Sequence, residues 1–174
     1  NFAVANPPST SVAFDNSGHA WITNTQYLSR VDVSSVNGAR TDFASGWYNS
    51  QDVIFGPNGF LWVTDANGVD KVDPSDAAIL EAVSLPGSPT EMTFDENGKL
   101  WVVQPGADTV TRIDPATATI EATVSVGDDP RAIAADGDGF VWVTIGGEDR
   151  VIRLSATPMS VADPPTSVSG SGGD

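Results

Sequence analysis

Four tryptophans recur at positions 21, 62, 101 and 142, at steps of 41, 39 and 41, and each stands in one frame: GHAWIT, GFLWVT, GKLWVV and GFVWVT. Glycines 18, 59, 98 and 139 and the apolar positions Val12, Val53, Met92 and Ile133 keep the same steps, while Arg30, Lys71, Arg112 and Arg153 follow at a constant 41. A fixed period of this length marks one supersecondary unit that cannot bury its apolar face alone and must stack on copies of itself. That constraint precedes every local consideration.

Each unit is a succession of short alternating stretches rich in Val, Ile, Thr and aromatics, punctuated by Asn-Gly, Asp-Gly, Pro and Gly. This is the chemistry of strands and turns. In the third unit the spacing predicts strand A over 91–94, a turn at Asp95-Glu96-Asn97-Gly98, and strands B, C and D over 99–104, 109–114 and 119–126. Asn97-Gly98 and Asn58-Gly59 suit a type I′ hairpin turn, whose two central residues both need positive φ. Four strands in about 41 residues is the period of a propeller blade. The expected fold is therefore all-β: a four-bladed β-propeller of four-stranded antiparallel blades. The blades fall near 8–46, 49–86, 89–127 and 130–155, within one domain over 1–162.

The last unit is incomplete. After Ser155 the chain reads ATPMSVADPPTSVSGSGGD, whose three prolines and Ser/Gly tail argue against a fourth strand. The N-terminal stretch Asn1 to Pro8 aligns instead with the strand D that leads from the second blade into the third. Phe2, Ala3, Val4 and Ala5 are thus expected to complete the last blade by strand exchange, within their own chain or in a neighbour. Residues 163–174 read as a tail or linker.

The run TVTRIDPATATIEATVSVGDDPRAIAADGDGFVWVT at 109–144 resembles the YVTN-type propeller repeat. The recurring tryptophan frame with its downstream Arg-x-Asp is similar to virginiamycin B lyase-like propellers, over about residues 4–155. The resemblance identifies the repeat, and such blades occur in enzymes, binding modules and surface proteins alike. Lyases of the virginiamycin type imply a catalytic histidine, and lactonase-type propellers imply a cation held by acidic and amide oxygens. His19 is the only histidine, standing where the other blades carry Phe60, Lys99 and Phe140. It reads as a half-exposed strand residue.

Eight Lys plus Arg against 23 Asp plus Glu give a net charge of −15, which repels nucleic acid and anionic lipid. Neither is an expected partner. The absence of cysteine excludes disulfides, thiolate metal sites and cysteine nucleophiles. No apolar run approaches the roughly 18 residues of a membrane helix.

Candidate site residues fall in three groups. Asn24, Asp65 and Gln104, with Gly146, follow strand B and are expected at the channel mouth; with one carboxylate among them, a solvated mouth is favoured over a Ca²⁺ or Mg²⁺ site, and no cofactor is expected. Asp136 and Asp138 resemble a calcium loop, but Phe140 stands where a third oxygen ligand is needed, so they read as turn residues. Trp47, Tyr48 and Asn49 lie in the one connection that breaks the repeat, and are expected to contact a glycan, a peptide or a neighbouring subunit. The cation and acid of Arg30/Asp32, Lys71/Asp73 and Arg112/Asp114 share one side of each strand and are expected to pair within or between blades, and the four tryptophans to fill the gaps between blades.

The functional expectation is a non-enzymatic extracellular module for binding or self-assembly, forming a homo-oligomer or polymer or engaging another protein or a glycan. The alternatives are a cation-dependent lyase or lactonase and a ligand-sensing segment of a larger receptor.

Overall fold

The computed structural model describes residues 9–34, 38–43, 46, 49–156, 158–162 and 166–167. Its strands form four antiparallel sheets, one per sequence repeat, each the blade of a β-propeller. The first contains β1 (Ser9–Phe14), β2 (His19–Asn24), β3 (Leu28–Asp32) and β4 (Arg40–Phe43). The second contains β5 (Val53–Phe55), β6 (Leu61–Thr64), β7 (Gly68–Val72) and β8 (Ile79–Ser84). The third contains β9 (Met92–Phe94), β10 (Leu100–Gln104), β11 (Thr109–Asp114) and β12 (Thr119–Ser125), close to the boundaries expected from the sequence. The fourth contains β13 (Pro130–Ala135), β14 (Phe140–Ile145), β15 (Arg150–Ala156) and β16 (Met159–Val161), with β17 (Thr166–Ser167) also paired to β15.

Register is repeated as faithfully as sequence. Trp21, Trp62, Trp101 and Trp142 lie opposite Arg30, Lys71, Arg112 and Arg153 on the neighbouring strand. Side chains at directly opposed positions share one face of a sheet, so every blade sets a cation against its tryptophan. Arg30, Arg112 and Arg153 hold their guanidinium carbons 5.6, 5.6 and 5.8 Å from those ring centroids, and the Lys71 ammonium is 6.0 Å away. Pairing within blades joins Lys71 to Glu81 at 3.4 Å, Arg112 to Glu121 at 2.9 Å and Asp114 to Lys99 at 2.8 Å. Asp32, Asp73 and Asp114 also accept the backbone N–H of Ser34, Ser75 and Ala116, each at 2.8 Å, and so cap the turn after strand C.

The turns between strands A and B also differ from expectation. Asp95 N–H donates to the Lys99 carbonyl at 3.0 Å and Gly98 N–H to the Asp95 carbonyl at 2.9 Å. Gly98 has φ 73°, and Asn97 is not among the residues of positive φ. This is a type I turn closed by a left-handed glycine rather than type I′. The extra residue lets Asp95 fold its carboxylate back over the loop.

The fourth blade has an outer edge of its own, against the expectation that it lacks one. β16 pairs Met159, Ser160 and Val161 with Ala156, Ser155 and Leu154, and β17 pairs Thr166 and Ser167 with Val151 and Arg150. The prolines at 158, 164 and 165 fall between the paired stretches, so each stretch keeps its N–H donors. Phe2, Ala3, Val4 and Ala5 lie outside the described residues.

The chain divides into two compact units, Asn1–Thr90 and Glu91–Asp174. In the first, Trp21 and Leu28 pack against Val53, Leu61, Val63 and Val72 of the second blade. Ser11 Oγ donates to Asp52 Oδ1 at 2.7 Å and Thr10 Oγ1 to the Ser50 carbonyl at 3.0 Å, tying the two blades near strand A. In the second unit Trp101, Val103 and Val110 pack against Ile133, Val141, Val143 and Ile152. In both, the tryptophan of one blade is covered by the strand A and B residues of the next.

Candidate functional site

The repeated aspartate before strand B does two jobs. Asp15, Asp95 and Asp136 each accept two backbone N–H groups on Oδ1, from the residues two and four positions on, at 2.8–3.2 Å. On Oδ2 each accepts the indole N–H of the tryptophan six positions on, at 3.2, 2.8 and 3.0 Å for Trp21, Trp101 and Trp142. The Asp136 carboxyl is held below the usual carboxylate range first by the Trp142 indole and then by backbone donors. Burial pushes Asp15 upward, and its bonds to His19, Ser17 and Trp21 bring it below the usual value.

The second blade departs from this pattern. Gly56 occupies the aspartate's position, with its N–H still donating to the Phe60 carbonyl at 2.9 Å. Asn58 Oδ1 takes over one donor, Phe60 N–H, at 3.3 Å. The buried indole nitrogen of Trp62 has no partner among the described residues.

Gly56 lines a cleft of about 660 Å³ between the first two blades. One wall is Phe14, Asp15, His19 and Arg30; the other is Phe55, Pro57, Pro74 and Ser75. His19 is fixed by a 2.9 Å contact from Nδ1 to Asp15 Oδ2. Arg30 spans the cleft base, its guanidinium over Trp21 and Phe43 and its Nη1 donating to the carbonyls of Pro74 and Ser75, both at 3.3 Å. The arrangement offers exposed phenyl surface beside one fixed cation, a combination suited to holding an amphiphilic ligand.

A second, smaller cavity of about 210 Å³ is bordered by Gly46, Asp65, Asn67, Gly68, Asp70 and Ala82. Asp65 Oδ1 accepts Asn67 N–H and Gly68 N–H at 2.8 and 2.9 Å, and Asp70 is buried. Burial, with the Asp65 charge adding to it, pushes the Asp70 carboxyl up to about 7.

Asn24, Asp65 and Gln104 are buried at the strand B to C turn. Asn24 Oδ1 accepts the N–H groups of Gln26 and Tyr27 at 3.0 and 2.8 Å, and Gln104 Oε1 accepts the Thr111 hydroxyl. Asn49 has φ 55° and its N–H donates to the Thr25 carbonyl at 3.1 Å; Trp47 and Tyr48 lie outside the described residues. Sequence reasoning missed Gly56, Trp62 and Asp70. The signal was present for all three: an aspartate stands six before the tryptophan in every blade but the second, and Asp70 stands where other blades carry Ser29, Thr111 and Ile152.

No family model matches the chain, and no curated protein sequence matches it. Solved structures do. A catalytically inactive virginiamycin B lyase from Staphylococcus aureus, solved with quinupristin, matches 98% of this chain and 59% of its own at a TM-score of 0.82 and 17% identity. A streptogramin B lyase structure matches 93% of this chain and 55% of its own at 0.80 and 17% identity. The extracellular domain of BT4673 from B. thetaiotaomicron matches 91% of this chain and 24% of its own at 0.73 and 19% identity. At such identities the likeness establishes the fold, a β-propeller like that of the virginiamycin B lyases. The chain spans a little over half the length of those lyases.

Proposed function

We propose that the chain is a non-enzymatic extracellular module for binding and self-assembly, in which a blade of one copy packs on a blade of another. The observation that carries this reading is a contrast in burial. Trp21 and Trp101, each covered by the following blade, are 0% exposed, whereas Trp142 on the fourth blade is 38% exposed. Val53, covered by the preceding blade, is 1% exposed, whereas its counterpart Val12 is 52% exposed, and Phe14 beside it 65%. The first blade thus presents the strand A face of a blade pair, and the fourth presents the tryptophan face.

These faces are the two halves of a contact that the chain makes twice within its units. Between copies the contact is heterologous: it closes into a ring of blades or propagates as a fibre. Light scattering over a concentration series tests it. Wild-type protein is expected to associate, and Val12→Asp and Trp142→Asp each to remain monomeric. An equimolar mixture of the two variants is expected to form a dimer, because each retains the face the other has lost. Monomeric wild-type protein at every concentration would sink the proposal.

A second reading, a ligand-sensing segment of a larger receptor, is favoured by the likeness to an extracellular domain of which this chain matches about a quarter. In that reading the two faces are covered by further blades of the same polypeptide, and the isolated variants do not complement one another.

A further inference from the structure

We infer that the second blade binds one divalent cation, calcium, between the carboxylates of Asp65 and Asp70, in the small cavity that both residues border with Asn67 and Ser84. This site is separate from the end faces proposed for assembly. Its basis is a comparison of equivalent positions in the repeat. On strand C, Ser29, Asp70 and Thr111 stand at one position, directly opposite Asp42, Ala82 and Thr123 on the outer strand of their blades. In the first blade Ser29 Oγ donates to Asp42 Oδ1 at 2.7 Å. In the third the Thr111 and Thr123 hydroxyls lie 2.9 Å apart, and Thr111 also donates to Gln104 Oε1. Gln104 stands three residues after its tryptophan, as Asp65 does, so side chains at these two positions reach one another. The second blade puts carboxylates at both and a methyl group opposite.

Asp70 is only 8% exposed, and among the described residues no hydrogen bond to its carboxylate offsets that burial or the facing charge of Asp65. A buried acid left in this state calls for a partner, and between two carboxylates a cation relieves desolvation and repulsion together. Asp65 is held for the purpose: its Oδ1 is fixed by two backbone N–H groups, while its Oδ2 has a single long contact, 3.5 Å from Asn67 Nδ2. The cavity, about 210 Å³, has room for an ion with water around it, and Asn67, Ala82 and Ser84 on its border are exposed, so it is open to solvent. Every ligand on offer is an oxygen, from carboxylate, amide, hydroxyl or water, which selects a hard cation. The irregular set suits calcium, which takes about six to eight oxygens in flexible geometry, over magnesium, which demands an octahedron.

The test uses the full chain, ¹⁵N-labelled, freed of metal with EDTA and dialysed into about 0.15 M NaCl to screen weak surface binding. Titration with CaCl₂ is expected to shift the amide resonances of Asn67, Gly68 and Asp70 along one saturation curve, with a Kd on the order of 10⁻⁴–10⁻³ M. Asp70→Asn, and Asp70→Thr with the third blade's side chain, are each expected to lose the response. Asp65→Asn keeps an Oδ1 for the N–H groups of Asn67 and Gly68, so the turn survives, and is expected to weaken binding at least about tenfold. Asp149→Asn removes an exposed acid at a positive φ that asparagine tolerates, and is expected to bind calcium as wild type does. That variant separates a site from the general attraction of a chain of net charge −15 for cations. The inference is overturned if the three resonances do not saturate by about 10 mM CaCl₂, if either Asp70 variant responds as wild type does, or if Asp149→Asn loses as much affinity as Asp65→Asn.

Discussion

At the scale of single residues, the blades differ most where the repeat omits a polar partner. Gly56 is the clearest case. Its backbone is outside the positive-φ region, so an aspartate fits there without strain. Gly56→Asp is expected to raise the free energy of unfolding by about 1–2 kcal/mol, because it satisfies the Trp62 indole and caps the loop. Urea denaturation measures it, and a neutral or destabilising result would contradict the account of the aspartate–tryptophan bond. Asp70 is the opposite case, an acid where its counterparts are Ser29, Thr111 and Ile152. Its carboxyl titrates at about 7 in the fold, against 3.8 for the ordinary group. Between those values the folded chain holds a proton that the unfolded chain has released, so this group makes stability fall as pH rises through that window. Asp70→Asn is expected to flatten that fall and to stabilise the protein at pH 8 by a few kcal/mol at most. Thermal unfolding at pH 5 and pH 8 checks it: a gain that is equal at both would show that the charge is not responsible.

At the scale of the blade, sequence and structure agree wherever the alternation of apolar residues is dense. β10, β11 and β12 fall within a residue of the expected strands. Agreement ends at the turn type and at the last outer strand, because both depend on where hydrogen-bond donors go. The aspartate before strand B recruits donors from two and four residues on, which selects a longer loop than Asn-Gly alone implies. Met159–Val161 looks unpromising as a strand because proline frames it, yet only its own three residues must donate and accept. Deleting residues 158–174 is expected to bare the outer edge of β15, to speed amide exchange along Arg150–Ala156 and to promote aggregation. Deleting residues 1–6 is expected to leave exchange in β15 unchanged. If instead the N-terminal deletion alone deprotects β15, Phe2 to Ala5 compete for that edge, as the strand-exchange expectation holds.

At the scale of the molecule, charge and exposed packing faces oppose each other. A net charge of −15 repels copies at low salt, while Val12, Phe14 and Trp142 offer apolar area for association. Salt decides between them. Raising ionic strength from about 0.01 M to about 0.15 M shortens the screening length from about 30 Å to about 8 Å. The association proposed for the two end faces is therefore expected to strengthen over that range, as read by light scattering. Weakening with salt would indicate an interface built on ion pairs instead.

The sequence by itself determined the blade count, the strand alternation and the tryptophan frame, because period and polarity are local properties that stacking only reinforces. Tertiary structure alone decided which side chain meets which. The strand C arginines, expected to pair with acids, also lie over tryptophans across the strand. Of the oxygens expected at a channel mouth, those of Asn24 and Asp65 accept backbone N–H groups and that of Gln104 accepts the Thr111 hydroxyl. One missing carboxylate leaves a buried indole without a partner among the described residues. These outcomes turn on register, burial and competition for hydrogen bonds, and such quantities exist only once distant segments have been brought together.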